Sequence, residues 1–295
     1  MNILLIGCGR TGRTVIGNLL DFKPIHNIFV YSRTTKSAEF LVCDFDNRKI
    51  KPTNNIKHLE DIDYIIITLS GMSDSTRTES IQNRNTTYEI RQDELKFNIG
   101  AIAQLITDLK KVPERTKIII VTNPVDELTN YLQIMLGRKN ILGFGLELDV
   151  KRFEKKLKKK VFCIGAHGKA IPLLNLKTRA EYCVIQKQID DELLNFVREN
   201  GIPHKLAGIS FRDFFERLVS DKKEVVHVSH YVQDAFGVKN ISISLPFEVK
   251  QGKILGVAEI NPNEIEKALF IESAAELKKS VDNIIDMHKK LVEYK

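Results

Sequence analysis

A short apolar strand that runs into a glycine-rich turn is the feature that most constrains the fold of this 295-residue chain. Residues 2–7 read NILLIG, and Gly7, Gly9 and Gly12 follow the spacing GxGxxG ahead of a helical pattern over residues 10–21. Glycines at these places allow a tight bend, close approach of the backbone to a ligand, and close packing of strand and helix. The order strand, glycine turn, helix therefore predicts a phosphate-binding turn for a dinucleotide.

The residues expected to bind the diphosphate of that dinucleotide lie in the turn and at the start of the helix. They are Gly7, Gly9, Arg10, Thr11 and Gly12. Unpaired N–H groups at a helix start favour the negative charge of phosphate. A purely structural glycine turn is the alternative interpretation, because the spacing alone is not specific.

The end of the second predicted strand bears on the choice of cofactor. An acidic residue about 20 positions after the glycine turn usually binds the ribose hydroxyls of NAD. This chain has Ser32 and Arg33 there, which can bind a 2′-phosphate that a carboxylate would repel. We therefore expect NADP(H) to be preferred, with NAD(H) also possible. The alternative is that Arg33 is a surface charge and that the protein does not discriminate.

Apolar strands alternate with amphipathic helices over the first half of the chain. The predicted strands are 2–7, 27–32, 64–69, 117–122 and 140–144, and the predicted helices are 10–21, 94–110 and 125–136. Continuous apolar strands between helices indicate a parallel sheet that is covered on both faces. The first half is thus predicted to be an α/β unit, a Rossmann-type doubly wound parallel sheet.

The pattern changes beyond residue 146. Helices become longer, the runs 224–229 and 240–246 read as paired antiparallel strands, and residues 262–293 read as a final amphipathic helix. We therefore predict a dinucleotide-binding domain over 1–145, followed by an α+β catalytic domain over 146–295.

The net charge of +7 and the isoelectric point near 9.1 raise the question of nucleic acid. The densest basic run, Lys151 to Lys160, also carries apolar residues at helical spacing, so a solvated helix face is the simpler interpretation. The run lacks the aromatic interleaving of a nucleic-acid-binding motif. We expect no nucleic-acid partner, and the positive charge can instead attract an anionic cofactor and substrate.

Composition and termini indicate the compartment. No apolar run approaches the roughly 20 residues of a membrane span, and the N-terminus starts directly in a strand without the basic segment of a signal peptide. The four cysteines are scattered without metal-like pairs. We expect a cytoplasmic protein with reduced thiols, no membrane association and no bound metal.

Three side chains carry the chemistry of an acid/base site. His167 follows a short apolar run and stands between small residues, and an imidazole suits proton transfer near neutral pH. Asp149 and Arg152 are three apart, so they share one helix face. The carboxylate can orient the imidazole, and the guanidinium can bind a substrate carboxylate through two parallel hydrogen bonds. The alternatives are a cleft histidine without a role and an ordinary Asp–Arg pair.

Asn123 precedes Pro124 at the predicted carboxyl end of a strand, the edge at which ligands bind in open α/β sheets. Its amide can contact the ribose of the cofactor or the substrate oxygen, and a plain turn residue is the alternative. The other six histidines lack a comparable setting.

The chain resembles the L-lactate/L-malate dehydrogenase family. The segments LIGCGRTG, VTNPVDELTNYL, GFGLELDVKRF and IGAHGKAIPLL follow one another in the family's order. The resemblance implies that His167 is the proton donor and acceptor, Asp149 its partner, and Arg152 the carboxylate anchor. It also implies that Arg91, on a mobile loop ahead of the helix with Asn98, polarises the substrate carbonyl. Asn98 and Asn123 are then expected at the cofactor.

The departures from the family concern the substrate. The segment from Gly71 to Arg91 is longer than expected, so Arg77 or Arg84 competes with Arg91 for its role. By the resemblance, arginine six residues before the loop arginine goes with malate and glutamine goes with lactate. That position is Asn85 here, which weighs against malate, although a shift by one residue to Arg84 would reverse the argument.

The sequence thus predicts an oxidoreductase that passes a hydride between a nicotinamide and a 2-hydroxy or 2-oxo acid. The substrate is expected to be lactate-like or non-standard rather than malate, and the resemblance implies a homodimer or homotetramer. Two rival hypotheses stay open. One is an NAD-dependent glycosidase of related fold, and the other is a retired enzyme that binds a dinucleotide as a sensor or structural protein.

Overall fold

The computed structural model describes residues 1–56 and 61–293, with side chains described up to residue 289. His58, one of the histidines set aside above, lies outside the described residues. Within the described ranges, no helix is both long enough and apolar enough to cross a bilayer.

In the described part of the chain, nine strands form one sheet, in the order β11-β10-β9-β6-β5-β4-β1-β2-β3. The strands, two of which (β7 and β8) form a separate small pair, are β1 Asn2–Ile6, β2 Asn27–Tyr31, β3 Ile50–Thr53, β4 Tyr64–Ile67, β5 Lys117–Ile120, β6 Ile141–Gly143, β7 Cys163–Ile164, β8 Ile171–Pro172, β9 Glu224–Ala235, β10 Val238–Lys250 and β11 Lys253–Val257. Strands β3-β2-β1-β4-β5-β6 are parallel, in the order of a doubly wound dinucleotide-binding sheet.

Helices cover the sheet and fill the second half of the chain. They are α1 Arg10–Leu19, α2 Thr35–Phe45, α3 Asp74–Asn83, α4 Thr87–Ala103, α5 Ile106–Leu109, α6 Val125–Leu136, α7 Leu146–Leu157, α8 Arg179–Asn200, α9 His204–Val219 and α10 Glu264–Glu293. All four residues of β4 are buried, as expected for a parallel strand with helices on both faces.

The predicted division near residue 145 does not interrupt the sheet. The antiparallel strands β9 to β11 join the parallel strands through β6, where Gly143 pairs with Ser229. Helix α9 of the second half packs on α1 of the first, and a Cβ at Gly208 would stand 2.4 Å from Cγ2 of Thr14. This close approach positions the start of α9 beside the glycine turn.

The segment predicted as a long mobile loop is helical. Residues 74–83 form α3, and α4 begins at Thr87 rather than at residue 94. Thr86 and Glu89 form a capping box, in which each side chain accepts a hydrogen bond from the other residue's backbone N–H. This pattern is visible in the sequence, and it explains why the helix starts earlier than the apolar periodicity indicates.

Candidate active site

The glycine turn has the geometry of a phosphate cradle. Gly7 has φ +114°, and a Cβ at Gly12 would stand 2.2 Å from the carbonyl oxygen of Gly7, so both positions need glycine. At Gly9, apart from its chain neighbours, no heavy atom of the described residues lies within 4 Å of where a Cβ would be. The backbone there is open to a ligand, which fits a diphosphate.

The first N–H groups of α1 are available to that ligand. Gly9 caps the helix without a side-chain hydrogen bond, and the first intrahelical bond runs from Arg13 N to Gly9 O at 3.0 Å. The N–H groups of Arg10, Thr11 and Gly12 therefore precede the helical ladder. Together with the helix dipole they attract a phosphate charge.

A cavity of about 550 Å³ extends from this turn; we call it the large cavity, because it is the larger of the two at the candidate site. Gly7, Gly9, Arg10, Thr11, Ser32 and Arg33 line it, all of them sequence-predicted cofactor residues. The cavity also reaches Ser37, in the first turn of α2. Within the described lining, a carboxylate comes from Asp74, and it pairs with Arg10 at 3.0 Å. The groups around Ser32 and Arg33 are thus cationic or hydroxylic.

The imidazole of His167 is held by a buried carboxylate. Its Nδ1 lies 2.7 Å from Oδ2 of Asp149, and the backbone N of Gly168 donates to the same oxygen at 2.9 Å. The backbone N of His167 donates to Asp126 Oδ2 at 2.7 Å, which fixes the loop on its other side. With Nδ1 bonded to Asp149, Nε2 is the ring nitrogen left to exchange a proton.

Arg152 binds the other oxygen of Asp149, with Nη1 2.6 Å from Oδ1. Burial alone opposes ionisation of Asp149, but the adjacent His167 and Arg152 outweigh it and hold the pKa of this carboxyl well below its usual range. Burial lowers the pKa of His167, and Asp149 acts in the opposite direction. The free site therefore has an ionised carboxylate beside a mainly neutral imidazole at pH 7.

Arg91 lies on α4 with 8% of its surface exposed, and its Nη1 donates to Thr87 Oγ1 at 3.3 Å. Burial lowers its pKa, and the nearby charge of Arg152 acts in the same direction. Two guanidinium groups at one buried place favour an anion between them, because an anion would offset their mutual repulsion.

A second cavity of about 120 Å³ joins these groups. His167, Arg91, Arg152 and Asn123 line it, together with residues of α4, α7, α8 and α9. Thr11 and His204 line both cavities, and Thr11 Oγ1 lies 3.1 Å from Nδ1 of His204. A ligand that extends from the glycine turn toward His167 would pass this pair.

Comparisons with known proteins agree with this architecture. Residues 1–101 match the family model described as shikimate / quinate 5-dehydrogenase. Residues 154–288 match the model described as lactate/malate dehydrogenase, alpha/beta C-terminal domain. A malate dehydrogenase from Thermoplasma volcanium is 24% identical, over 98% of this chain and 98% of that protein.

Solved structures share the fold over nearly the whole chain. The malate dehydrogenase of Plasmodium falciparum superposes with a TM-score of 0.82 at 17% identity, covering 98% of this chain and 99% of that one. The Archaeoglobus fulgidus malate dehydrogenase in complex with NADH gives 0.78 at 18% identity, over 96% and 99%. The L-lactate dehydrogenase of Clostridium thermocellum gives 0.74 at 19%, over 96% and 98%.

The chain is thus similar to lactate/malate dehydrogenases, both through the family model over residues 154–288 and through a relative that spans nearly the whole chain. The resemblance that the sequence motifs indicated is thereby confirmed, and so is the predicted class of oxidoreductase. The fold class, a Rossmann-type sheet followed by a catalytic domain, is confirmed as well.

The three arginines that compete for one role in this lactate/malate dehydrogenase fold lie in three different places. Arg91 lines the small cavity beside His167. Arg77 lines the large cavity, and it pairs at 2.9 Å with Glu94, which lines the small cavity. Arg84 is exposed and bound to both oxygens of Asp93 at 2.7 Å. Of the three, Arg91 is the one beside the imidazole.

Two residues that the family resemblance singled out lie elsewhere. Asn85 is exposed ahead of the capping box, where its backbone N donates to Glu89 at 2.9 Å. The side chain of Asn98 is 1% exposed and bridges backbone, accepting from Gly71 N at 2.7 Å and donating to the carbonyl of Asn123 at 2.6 Å. It fixes the Asn123 backbone, and it is not part of the described lining of the two cavities.

Two residues to which the sequence assigned no role also belong to the candidate site. Asp126 is buried and holds the His167 backbone, and the motif TNPVD contained it without assigning it a role. His204, which the sequence analysis gave no role, lines both cavities. The feature of the sequence that could have indicated it is its position at the start of α9, directly after Pro203.

Proposed function

We propose that the protein is an NADP-preferring oxidoreductase that interconverts 2-oxo and 2-hydroxy acids. The observation that carries the proposal is the arrangement around one buried carboxylate: Asp149 binds His167 Nδ1 through one oxygen and Arg152 through the other. A proton carrier and an anion-binding fork are thus fixed to the same group. Both side chains line a common cavity.

The chain's own residues perform the acid/base work. In reduction, a protonated His167 gives the Nε2 proton to the keto oxygen as that oxygen gains charge. In oxidation, neutral His167 takes the proton back from the hydroxyl group. Asp149 stabilises the imidazolium form and keeps the second proton on Nδ1. General acid catalysis of this kind typically contributes ~10²–10⁴ in rate.

The two arginines position the substrate and stabilise charge. Arg152 offers the N–H groups that Asp149 leaves free to the substrate carboxylate. Arg91, on the α4 wall of the same cavity, polarises the carbonyl and stabilises developing negative charge in a buried place. Asn123 adds a polar side chain at the carboxyl edge of the sheet.

A nicotinamide dinucleotide fits the large cavity, as the open backbone at Gly9 and the uncapped start of α1 indicate. Gly7, Gly9, Arg10, Thr11 and Gly12 would hold its diphosphate. When bound, it supplies or accepts the hydride. Ser32 and Arg33 support the NADP preference, because they stand at the adenosine end where a carboxylate would select NAD.

The retired-sensor hypothesis has less support. A binding protein needs the phosphate cradle, but it does not need a histidine, its carboxylate partner and two arginines that line a second cavity. The glycosidase hypothesis lacks support from the family comparisons, which match dehydrogenases at both ends of the chain. We also propose a homodimer or homotetramer, and the support for this part is the family resemblance alone.

The test is loss of reduced-nicotinamide absorbance, with NADPH and NADH in parallel, against a panel of 2-oxo acids. Oxidation of NADPH by at least one acid, abolished in His167→Ala while NADPH binding persists, is the expected result. Binding of NADPH without oxidation by any acid would support the sensor. Full activity of His167→Ala would overturn the assigned acid/base role.

A further inference from the structure

The small cavity beside His167 is lined by both polar and apolar residues. The polar lining includes His167, Arg91, Arg152 and Asn123, the residues of the proposed reaction. We call the apolar wall those apolar lining residues that come from the end of α8, the start of α9 and the connection between them. Its members are Leu193, Val197, Ile202, Pro203, Leu206 and Ala207.

The charged residues in the described lining of this cavity come from α4 and α7. Within the described lining, positive charge comes from Arg91 and Arg152, both beside His167. Glu94 of α4 contributes a carboxyl group, and it is bound to Arg77 from the other cavity at 2.9 Å. His204 adjoins the apolar wall, but burial lowers its pKa, so it is mainly neutral at pH 7.

A second carboxylate on the substrate would therefore be buried against aliphatic carbon without a cation of its own. A buried charge without a partner is strongly unfavourable. Methylene groups, in contrast, are favourable against such a wall, and one methylene changes kcat/KM about 10–200-fold in hydrophobic pockets. The apolar wall thus favours a substrate with an apolar side chain over a substrate with a second carboxylate.

The size of the cavity limits the side chain further. Its volume of about 120 Å³ is smaller than the cavity of roughly 150 Å³ that binds benzene in an engineered protein. An aliphatic chain of a few carbons fits the space beside the apolar wall better than an aromatic ring does.

We infer that the substrate is a monocarboxylic 2-oxo acid whose short aliphatic side chain, longer than methyl, packs on the apolar wall. This inference rests on the proposed function and names its substrate class. It separates this protein from a dicarboxylate dehydrogenase, although relatives of similar fold carry the name malate dehydrogenase.

The experiment compares kcat/KM with NADPH for 2-oxopentanoate, 4-methyl-2-oxopentanoate, pyruvate, phenylpyruvate and oxaloacetate. An aliphatic acid should exceed oxaloacetate by at least about 100-fold and pyruvate by at least about tenfold. Equal or better use of oxaloacetate, pyruvate or phenylpyruvate would overturn the inference while leaving the proposed function intact. Silence with all five acids, with NADPH bound, would count against the proposed function itself.

Two variants on one helix test the apolar wall directly. Leu193→Arg places a cation in the wall at a half-buried position, and Phe196→Arg makes the same change at a residue that is 46% exposed and outside the lining. The preference for aliphatic acid over oxaloacetate should fall about 100-fold or more in Leu193→Arg and stay unchanged in Phe196→Arg. If Leu193→Arg kept the preference for the aliphatic acid over oxaloacetate, the inferred contact between the substrate side chain and the apolar wall would be overturned.

A smaller change covers the case in which Leu193→Arg does not fold, which NADPH titration would reveal. Leu206→Ala removes carbon from a side chain that is 39% exposed, so folding tolerates it. It should lower kcat/KM for 4-methyl-2-oxopentanoate about tenfold and leave the value for pyruvate within about twofold. Equal losses for both acids would contradict packing of the substrate side chain on the wall.

Discussion

Gly168 leaves room for Arg91: a Cβ at Gly168 would stand 2.2 Å from Nη1 of that arginine. The loop that carries His167 and the helix that carries Arg91 meet at this point. Because Gly168 has no side chain, the guanidinium of Arg91 can occupy this place. Gly168 also has φ +89°, a conformation that L side chains rarely adopt.

Gly168→Ala should therefore displace Arg91 and reduce kcat/KM for the 2-oxo acid about 100-fold, since misplacement by about 1 Å can cost that much. NADPH affinity should change little, because neither residue lines the large cavity. The matched control is Gly137→Ala. Gly137 also has positive φ, at +66°, but among the described residues, nothing beyond its chain neighbours and its own helix lies within 4 Å of its Cβ position. Equal losses of activity in both variants would indicate strain rather than displacement of Arg91.

Asp149→Asn should change the pH dependence of reduction as well as its rate. Burial already lowers the pKa of His167, and the carboxylate of Asp149 opposes that effect. Without the carboxylate, the imidazolium form persists only at lower pH, so the pH profile of reduction should shift to lower pH and kcat should fall. Steady-state rates between pH 5 and 9 measure this shift. Asp213→Asn, which removes an exposed carboxylate paired with Lys151, should leave the profile unchanged.

Arg33→Ala should raise KM for NADPH about tenfold and leave KM for NADH nearly unchanged, because only NADPH carries the 2′-phosphate that a guanidinium would bind. Arg33 is exposed, so solvent screening keeps the effect moderate. Ser32→Asp should act in the same direction by repulsion. Arg48→Ala, an exposed arginine outside the cavity lining, is the control. If Arg33→Ala raised KM for NADPH and for NADH equally, the proposed preference for NADPH would be contradicted.

Glu127 should make the protein less stable as the pH rises toward neutrality. Burial, followed by the neighbouring Asp126, raises the pKa of Glu127 from 4.5 to about 7. The folded state thus binds a proton more tightly than the unfolded state. The stability contribution is fully present below about pH 4.5 and is lost as the pH rises through about 7.

Glu127→Gln should remove this dependence, because the amide does not ionise and can still accept a hydrogen bond from Gln92, whose Nε2 lies 2.6 Å away. Each pKa unit corresponds to about 1.4 kcal/mol, so the loss of unfolding free energy between pH 5 and 8 should shrink by up to roughly 3 kcal/mol. Denaturant unfolding at the two pH values measures it. Glu199→Gln, at an exposed site, should leave the difference as it is.

The elements that the sequence predicted are those with strong local periodicity. Helix α6 has the predicted bounds 125–136, and β1, β4 and β5 lie within the predicted strands. The missed elements have weaker patterns: α3 is almost entirely polar, and β3 contains a proline. For α4, the capping box at Thr86 marks the start of the helix, which the apolar spacing places too late.

The sequence by itself determined the glycine turn and the helix face shared by Asp149 and Arg152, because both depend on residues within one or two turns of chain. It also contained the family motifs. Only the tertiary structure decided which side chains meet. It brings Asp149 to His167 across 18 positions, and His204 to Thr11 across 193. It also selects Arg91 over Arg77 and Arg84 beside the imidazole. The physical reason is that such contacts depend on how sheet order and helix packing close long stretches of chain, which local periodicity does not encode.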